Sequence, residues 1–392
     1  MPLHLPLHLE ARRRKASPVF GALTRGAAAS LASGSAAPLG AALRASGASV
    51  DDLLFAASIH GVGGLLSRLA EGERDALAPE EAAALASARE RARARGERLA
   101  QDLAHLGVLA ERAGLPLVPL KGAYLSSERY RDPSLRPCAD IDLLAAGDLC
   151  DAWGRLLEKD GYAYLEESLT YKNRAYARPH EKPTGSGYLE DTDNPRPVDL
   201  HPRIAERFLG GVVDITDAYT GDLHDGTVAG VPARVPGARA LALHLFAHAA
   251  PTAVGRGVRL LQIHDLTFLP DDAAVGDALV ESLGEAAWGL GALFSRAVPG
   301  CLGPRVLAAL ERAAPPRRRR AAWLARPGLL TGEHESSVLV LAELRLCPSL
   351  VARAGRLLRA APDASYLASA YGAQGPLGYL RALPAYYRDR FR

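Results

Sequence analysis

Two aspartates separated by a single residue, Asp140 and Asp142, have the type and spacing expected of metal ligands. In an extended chain, alternate side chains leave the same face, so these carboxylates would lie roughly 6 to 7 Å apart along the strand. They would repel each other unless a cation lay between them. Magnesium is the expected cation, because it is a hard ion that takes oxygen ligands and shares them with phosphates and water.

A third carboxylate, Asp199, lies in the short extended piece Val-Asp-Leu-His and could join the pair from a neighbouring strand. Taken alone, an Asp-x-Asp pair is more often a solvent-exposed strand edge, and Asp199 would be an ordinary strand-end residue. Context favours the metal site, because apolar residues flank the pair and a Lys-Gly step, Lys121-Gly122, precedes it. We therefore predict Asp140, Asp142 and Asp199 as catalytic metal ligands.

A helical region over 16–114 precedes the elements that carry these residues. Apolar residues recur in it at helical spacing. Its last helix is the clearest, and Gly114 stands where a C-terminal cap belongs. From residue 115 the pattern changes to short extended pieces. The prolines of Leu115–Leu120 make a helix improbable there, so we predict a strand that ends at Leu120.

The remaining elements complete a small core of strands and helices. We predict a short helix over 122–130, a strand up to Leu143, and a helix capped by Asp148 that ends at Gly161. Further predicted segments are strands at 162–165, 170–177 and 197–204, a hairpin loop over 179–195, and helices after about 238.

The predicted fold class is α+β, with a small mixed-sheet core between N-terminal and C-terminal helical regions. The predicted organisation is a flexible N-terminus over 1–15, a helical region over 16–114, a core over 115–237 and a C-terminal helical region over 238–392. A length of 392 residues supports this division, because single cores stop growing well before that size.

The composition narrows the possible partners and compartments. With 47 basic and 44 acidic residues, a net charge of +3 gives no general argument for nucleic-acid binding, which we consider unlikely. The sequence offers neither a secretory signal nor roughly 20 uninterrupted apolar residues, so no membrane association is expected. Its 4 cysteines form no C-x-x-C pair, so a reducing cytoplasm is the expected location.

Three stretches carry a resemblance to a known family. They are Leu120-Lys121-Gly122, the run from Arg136 to Leu144 and the run from Val198 to His201. Together they resemble the nucleotidyltransferase superfamily, and within it a family of uncharacterised bacterial nucleotidyltransferases with a Leu-Lys-Gly start. The resemblance extends over about 50–380, although the specific motifs lie between 117 and 202.

The resemblance implies a mixed sheet, two Mg²⁺ ions held by the three aspartates, and a nucleoside triphosphate as co-substrate. A nucleotidyl group would be transferred to a hydroxyl of a small molecule, sugar or peptide, with Asp199 also a candidate to accept the acceptor's proton. A peptide acceptor is suggested because members of the resembling family accompany peptide-modifying biosynthetic genes. ATP is one expected nucleotide.

The start of the motif departs from most of the superfamily. Lys121-Gly122-Ala123 replaces the usual Gly-Ser or Gly-Gly, a change shared by the family that the chain most resembles. We predict Gly122 as the residue of close approach and Lys121 as a cation facing the triphosphate. Ser126 is a possible hydroxyl donor to the nucleotide, although serines of surface helices are more often spacers.

Arg136 and several histidines leave alternatives open. Arg136 could bind a phosphate bidentately or pair with Asp132 in its own loop. His201 would share a strand face with Asp199, although we prefer a structural hydrogen bond for it. His244, His248 and Asp265 could form a zinc site, although a packed helix is the more common reason for such a pattern. We predict a solvated linker at 317–320. The tail over 379–392 could form a basic surface for an acidic partner, although we prefer a closing helix that packs on the core and exposes its arginines.

Two other functions remain open at this point. The same site could transfer the γ-phosphoryl group, and product mass would separate this from nucleotidyl transfer. The fold could also serve as a non-catalytic binding module, although a degenerate copy would be free to lose the three carboxylates.

Overall fold

A computed structural model describes residues 17–324 apart from 74, 169–171, 180–195, 210 and 254–256, together with a few residues after 324. The predicted flexible N-terminus therefore lies outside the described residues. So do nearly all of the predicted loop over 179–195 and most of the tail over 379–392.

The first part of the described chain is helical, as predicted. The longest helix begins with Pro79, where the missing N–H of proline costs no hydrogen bond. It ends at Gly114, whose φ of 66° is the left-handed conformation of a glycine cap. The helices are α1 (Pro18–Ser33), α2 (Ala37–Ser46), α3 (Val50–His60), α4 (Gly63–Glu71) and α5 (Pro79–Ala113).

A four-stranded mixed sheet follows, and it confirms the α+β class. Its strand order is β1-β4-β3-β2, with β1 and β4 parallel and the other neighbours antiparallel. In the β1–β4 register, Asp142 lies opposite Asp199. The strands are β1 (Ile141–Leu144), β2 (Ala163–Glu167), β3 (Arg174–Ala177) and β4 (Val198–His201).

The segment before Lys121 extends along β1 but is not a full strand. The Leu120 N–H donates to the Asp142 carbonyl at 2.9 Å, and the Leu144 N–H donates to the Val118 carbonyl at 2.9 Å. Proline has no N–H to donate, so the ladder in this segment is reduced to an isolated bridge between Pro119 and Leu143. The predicted strand ending at Leu120 is therefore an extended segment with partial pairing.

Two short helical turns connect this segment to β1. They are α6 (Lys121–Tyr124) and a π-helical turn over Leu125–Arg129, close to the helix predicted over 122–130. After β1, α7 (Leu149–Lys159) packs against the sheet through the fully buried Trp153. Asp148 precedes α7 as predicted, but its side chain makes no capping hydrogen bond.

Two hairpins follow β4, in a region where we predicted no strand beyond Ile204. The second hairpin turns at Ala229 and Gly230, which both have positive φ, as a two-residue hairpin turn requires. It packs beside the core because the Arg234 N–H donates to the Leu117 carbonyl at 2.8 Å. The strands are β5 (Ala205–Phe208), β6 (Gly211–Asp214), β7 (Leu223–Val228) and β8 (Val231–Pro236), with the short helix α8 (Thr216–Thr220) between the hairpins.

The chain then returns to helices, as predicted. Most of the side chains of the first of them are buried, so this helix is part of the core and not a surface element. These elements are α9 (Ala238–Pro251), α10 (Leu260–His264), a 3₁₀ turn (Asp265–Phe268), α11 (Ala273–Leu283), α12 (Glu285–Ala297), α13 (Pro304–Arg312) and α14 (Arg317–Leu324).

The predicted solvated linker at 317–320 is wrong, because these residues begin α14. Arg319 Nε donates to the Glu285 carboxylate at 2.8 and 2.7 Å. Trp323 is fully buried against Gly289, where a Cβ would come within 2.2 Å of its ring. Burial of this tryptophan explains why an arginine-rich run forms a packed helix.

Among the described residues, no single helix has both the length and the apolar character needed to cross a membrane. The pair α3 and α4, bent by 120°, would meet those two criteria only when taken together.

Candidate active site

The parallel pairing of β1 and β4 brings two carboxylates together. Asp142 is 8% exposed and Asp199 is partly buried, and His201 lies two residues further along β4. One possible ligand atom from each of Asp142, Asp199 and His201 lies within 4.8 Å of the others. In the described part of the chain, no other group of three or more His, Cys, Asp or Glu side chains meets this criterion. We call these three residues the ligand cluster.

Asp142 is the most strongly held member of the ligand cluster. His201 Nε2 donates to its Oδ1 at 2.6 Å, and Lys121 Nζ lies 3.5 Å from its Oδ2. Burial alone would raise the pKa of Asp142, but Lys121 and His201 lower it below its ordinary value. Asp142 therefore stays ionised, as a metal ligand must.

Asp140 lies beside the ligand cluster but outside it. The chain bends at residue 140 and β1 begins only at Ile141, so the predicted alternation of two strand side chains does not apply. Burial and the charges of Asp142 and Asp199 raise the pKa of Asp140 to about 6. Asp140 is thus close enough to interact with both carboxylates, and its role as a metal ligand remains a prediction.

The chemistry of these side chains fits a divalent cation. Burial and the charge of Asp142 also raise the pKa of Asp199, so negative charge is concentrated here beyond what Lys121 neutralises. A divalent ion would relieve this repulsion. Carboxylate oxygens suit Mg²⁺, whereas the imidazole of His201 adds a nitrogen donor that transition ions accept more readily.

Lys121 adopts a backbone conformation that is unusual for a lysine. Its φ of 34° is positive, at the junction between the extended Leu120 and α6. Such a conformation costs of order 1–3 kcal/mol and persists only where the surroundings impose it. The conformation accompanies the contact of the ammonium with Asp142. The predicted contact of Lys121 with a triphosphate remains a prediction.

Gly122 is a residue of close approach, but the groups that approach it belong to the protein. A Cβ at this position would lie 2.6 Å from Cys138 Sγ and 2.9 Å from Arg136 Nη1. Close packing against the loop before β1 therefore already requires glycine. A phosphate contact at Gly122 remains a prediction.

We expect Gly122→Ala to destabilise the protein by about 1–3 kcal/mol, because the added methyl group overpacks this junction. Urea-induced unfolding measures this difference. The matched control is Gly63→Ala, where the nearest atoms would be 3.8 Å away, in ordinary contact, and where we expect no loss. Equal stability of the two variants would contradict the proposed packing role.

Ser126 and Arg136 are directed toward protein groups. The buried Ser126 hydroxyl donates to the Arg136 carbonyl at 3.0 Å. Arg136 pairs bidentately with Asp265, with Nε to Oδ1 at 2.9 Å and Nη2 to Oδ2 at 2.8 Å. The alternative pairing of Arg136 with Asp132 is wrong, because Asp132 pairs with Arg89. Nucleotide binding by Ser126 and Arg136 stays a prediction.

The possible zinc site of His244, His248 and Asp265 does not form among the described residues. Asp265 is engaged by Arg136 and also accepts a hydrogen bond from Tyr130 Oη at 2.8 Å. His244 is buried on α9 and has no hydrogen-bond partner among the described residues, and its ring packs edge-on against Tyr219 at 5.3 Å. The more common explanation, a packed helix, therefore applies to His244.

A family model described as "Uncharacterised nucleotidyltransferase" matches residues 46–287, which is more than half of the chain. The chain belongs to this nucleotidyltransferase family. The match extends from the last residue of α2 into α12 and includes every residue of the site described above. Neither the curated proteins nor the solved structures gave a significant match.

Two acidic contacts of the site were not predicted from the sequence. The pairing of Arg136 with Asp265 joins residues 129 positions apart, and no local pattern indicates it. Glu206, in the unpredicted strand β5, lies near Lys121 and contributes to its electrostatic environment. To place Glu206 near the site from the sequence, a strand over 205–208 would have had to be predicted.

Proposed function

We propose that the protein transfers a nucleotidyl group from a nucleoside triphosphate to a hydroxyl of a small molecule or peptide, in a Mg²⁺-dependent reaction. The observation that carries this proposal is the ligand cluster, in which Asp142 and Asp199 lie side by side because β1 and β4 pair in register. Membership of a nucleotidyltransferase family supports transfer of this kind of group.

Asp142 and Asp199 would hold the metal, together with Asp140 if two ions bind. A bound divalent ion would lower the pKa of the attacking hydroxyl and neutralise charge on the α-phosphate and on the departing pyrophosphate. Lys121 would add a positive charge next to the same phosphates, because its ammonium already lies 3.5 Å from Asp142. The roles of the residues do not depend on the identity of the acceptor.

The proposed setting is a reducing compartment such as the cytoplasm. All four cysteines are buried and none of them forms a disulfide, which fits a compartment where disulfides do not form. No feature of the net charge argues for a nucleic-acid acceptor.

The decisive experiment incubates the protein with each of the four nucleoside triphosphates, Mg²⁺, and either a library of serine, threonine and tyrosine peptides or a set of monosaccharides. We expect pyrophosphate release and a product whose mass has increased by a nucleotide. A mass increase of one phosphate would instead establish phosphoryl transfer. Absence of both products with every triphosphate and acceptor would contradict the proposal.

His201 provides a test that needs no acceptor. If its imidazole is a ligand, Mn²⁺ bound to the protein has a nitrogen coupling in its electron paramagnetic resonance signal. We expect His201→Asn to remove that coupling and to weaken Mn²⁺ binding at least about tenfold. The exposed His224 on β7 is the matched control, and His224→Asn should change neither property. A nitrogen coupling that survives in His201→Asn would exclude His201 as the ligand.

A further inference from the structure

His248 and Glu206 form a pair of side chains beside the ligand cluster that the proposed function does not yet use. His248 Nδ1 lies 3.4 Å from Glu206 Oε1, and the two side chains are 31% and 20% exposed. Strand β5, which carries Glu206, packs on α9, which carries His248. A hydrogen bond from Nδ1 to Glu206 leaves Nε2 as the ring nitrogen that carries the lone pair of the neutral imidazole.

Lys121 connects this pair to the ligand cluster. Its ammonium lies 3.5 Å from Asp142 Oδ2. Burial lowers the pKa of Lys121, but the charges of Asp142, Glu206 and Asp140 raise it above its ordinary value. Glu206 is therefore a near neighbour of the same ammonium that contacts Asp142. The His248–Glu206 pair and the ligand cluster border one polar region.

The environment of His248 keeps its imidazole neutral. Burial and the charge of Lys121 lower its pKa, and the opposing influence of Glu206 and Asp142 does not restore the ordinary value. A neutral imidazole has a free lone pair at neutral pH and can accept a proton. A carboxylate that orients the ring through its other nitrogen is the usual companion of a histidine base.

Asp199 is less suited to this task when it acts as a metal ligand. Its carboxylate belongs to the ligand cluster, where metal coordination would occupy its lone pairs. A base outside the cluster could accept a proton without losing a metal contact.

We infer that His248, oriented by Glu206, is the general base that accepts the proton of the acceptor hydroxyl. This inference rests on the proposed function. As the hydroxyl O–H bond breaks, its proton moves to His248 Nε2 and the oxygen forms a bond to the α-phosphorus. The bond from the α-phosphorus to the oxygen that bridges to the β-phosphorus breaks, and pyrophosphate leaves with that electron pair.

The test measures pyrophosphate release with Mg²⁺, using the triphosphate and the acceptor that give the highest wild-type rate in the experiment above. We expect His248→Ala to lower kcat about 100-fold or more, the range typical of a lost general base. Added imidazole should restore part of the lost rate, because it can replace the missing ring. Glu206→Gln should reduce kcat less than His248→Ala, because an amide can still hold the ring.

Controls distinguish a catalytic role from a structural one. ATP affinity, Mn²⁺ binding and the thermal unfolding midpoint of His248→Ala should match the wild type, and the exposed His224→Ala should retain full activity. A kcat of His248→Ala within threefold of the wild type would refute the inference while the proposed function stands. So would a loss of activity that imidazole does not rescue. If the wild type releases no pyrophosphate with any of the four triphosphates and either acceptor set, the proposed function has failed and the inference fails with it.

Discussion

Asp142→Asn should abolish divalent-ion binding and lower the rate of pyrophosphate release by about 10³-fold or more, because it removes the central ionised side chain of the proposed metal site. Asp142 is the residue that β1 places opposite Asp199 and that both His201 and Lys121 contact. Asparagine keeps the shape of the side chain but supplies only a neutral oxygen, which binds Mg²⁺ or Mn²⁺ far more weakly.

The stability of Asp142→Asn should decrease, although the chain should remain folded. The lowered pKa of Asp142 means that its ionised form is stabilised in the folded protein, mainly by Lys121 and His201. Replacement by a neutral amide removes that stabilisation and leaves the Lys121 ammonium with less compensation. Calorimetric titration with Mn²⁺ and circular dichroism separate the two effects.

The control for this prediction is Asp225→Asn on β7, an exposed aspartate that contacts Arg234 at 3.3 Å. It should keep full ion binding, activity and stability, because exposed pairs contribute little. A folded Asp142→Asn variant that binds Mn²⁺ as the wild type does would remove the basis of the proposed active site. If the variant kept its affinity for a partner and the wild type had no measurable activity, a non-catalytic binding module would be favoured.

Asp265→Ala should destabilise the protein by about 3–5 kcal/mol, because it leaves the buried guanidinium of Arg136 without its partner. Both side chains are almost inaccessible, with 10% of Arg136 and 2% of Asp265 exposed. Asp265 also accepts the hydroxyl hydrogen bond of Tyr130, so the substitution breaks two buried contacts. Urea-induced unfolding followed by tryptophan fluorescence measures the loss.

A double substitution tests whether the cost arises from the unpaired charge. Arg136→Met combined with Asp265→Leu should recover much of the stability, because apolar side chains of similar size can replace a buried ion pair. The surface pair of Arg312 and Asp277, each 59% exposed, is the control, and Asp277→Ala should cost less than about 1 kcal/mol. A similar cost for Asp265→Ala and Asp277→Ala would contradict the burial argument.

The Arg136–Asp265 pair also supports the candidate site. Arg136 Nη1 would be 2.9 Å from a Cβ at Gly122, so the arginine packs directly against the Lys121-Gly122 junction. Loss of the pair should therefore lower activity as well as stability. If the double variant has normal stability but only partial activity, the remaining loss of activity measures how much the pair contributes by positioning the Lys121-Gly122 junction.

The helices and the main strands could be predicted because their patterns are local. Apolar residues at helical spacing predicted the region up to Gly114, and the alternation of polar and apolar residues up to Leu143 predicted β1. Hairpins β5–β6 and β7–β8 were missed because polar residues and prolines weaken their alternation. The second hairpin turns at Ala229-Gly230, which is a weaker hairpin signal than Asn-Gly or Asp-Gly.

The site was predicted in part, for geometric reasons. Asp142 and Asp199 lie together, since they occupy paired strands, whereas Asp140 precedes its strand and does not share the regular alternation. His201 was placed near Asp199 by its spacing, although its bond to Asp142 depends on the sheet register. Contacts such as Arg136 with Asp265 depend on the tertiary fold alone.

The register of β1 and β4 would make ion binding at the proposed metal site a reporter of correct strand pairing. If β4 slipped by one residue, Asp142 would face Val198 or Leu200, and the carboxylate at 199 would point to the opposite side of the sheet. A chain mispaired in this way could not chelate the ion. Mn²⁺ added during refolding should therefore favour the native register over registers shifted by one residue. The ion binds only the correctly paired chains and shifts the equilibrium toward them.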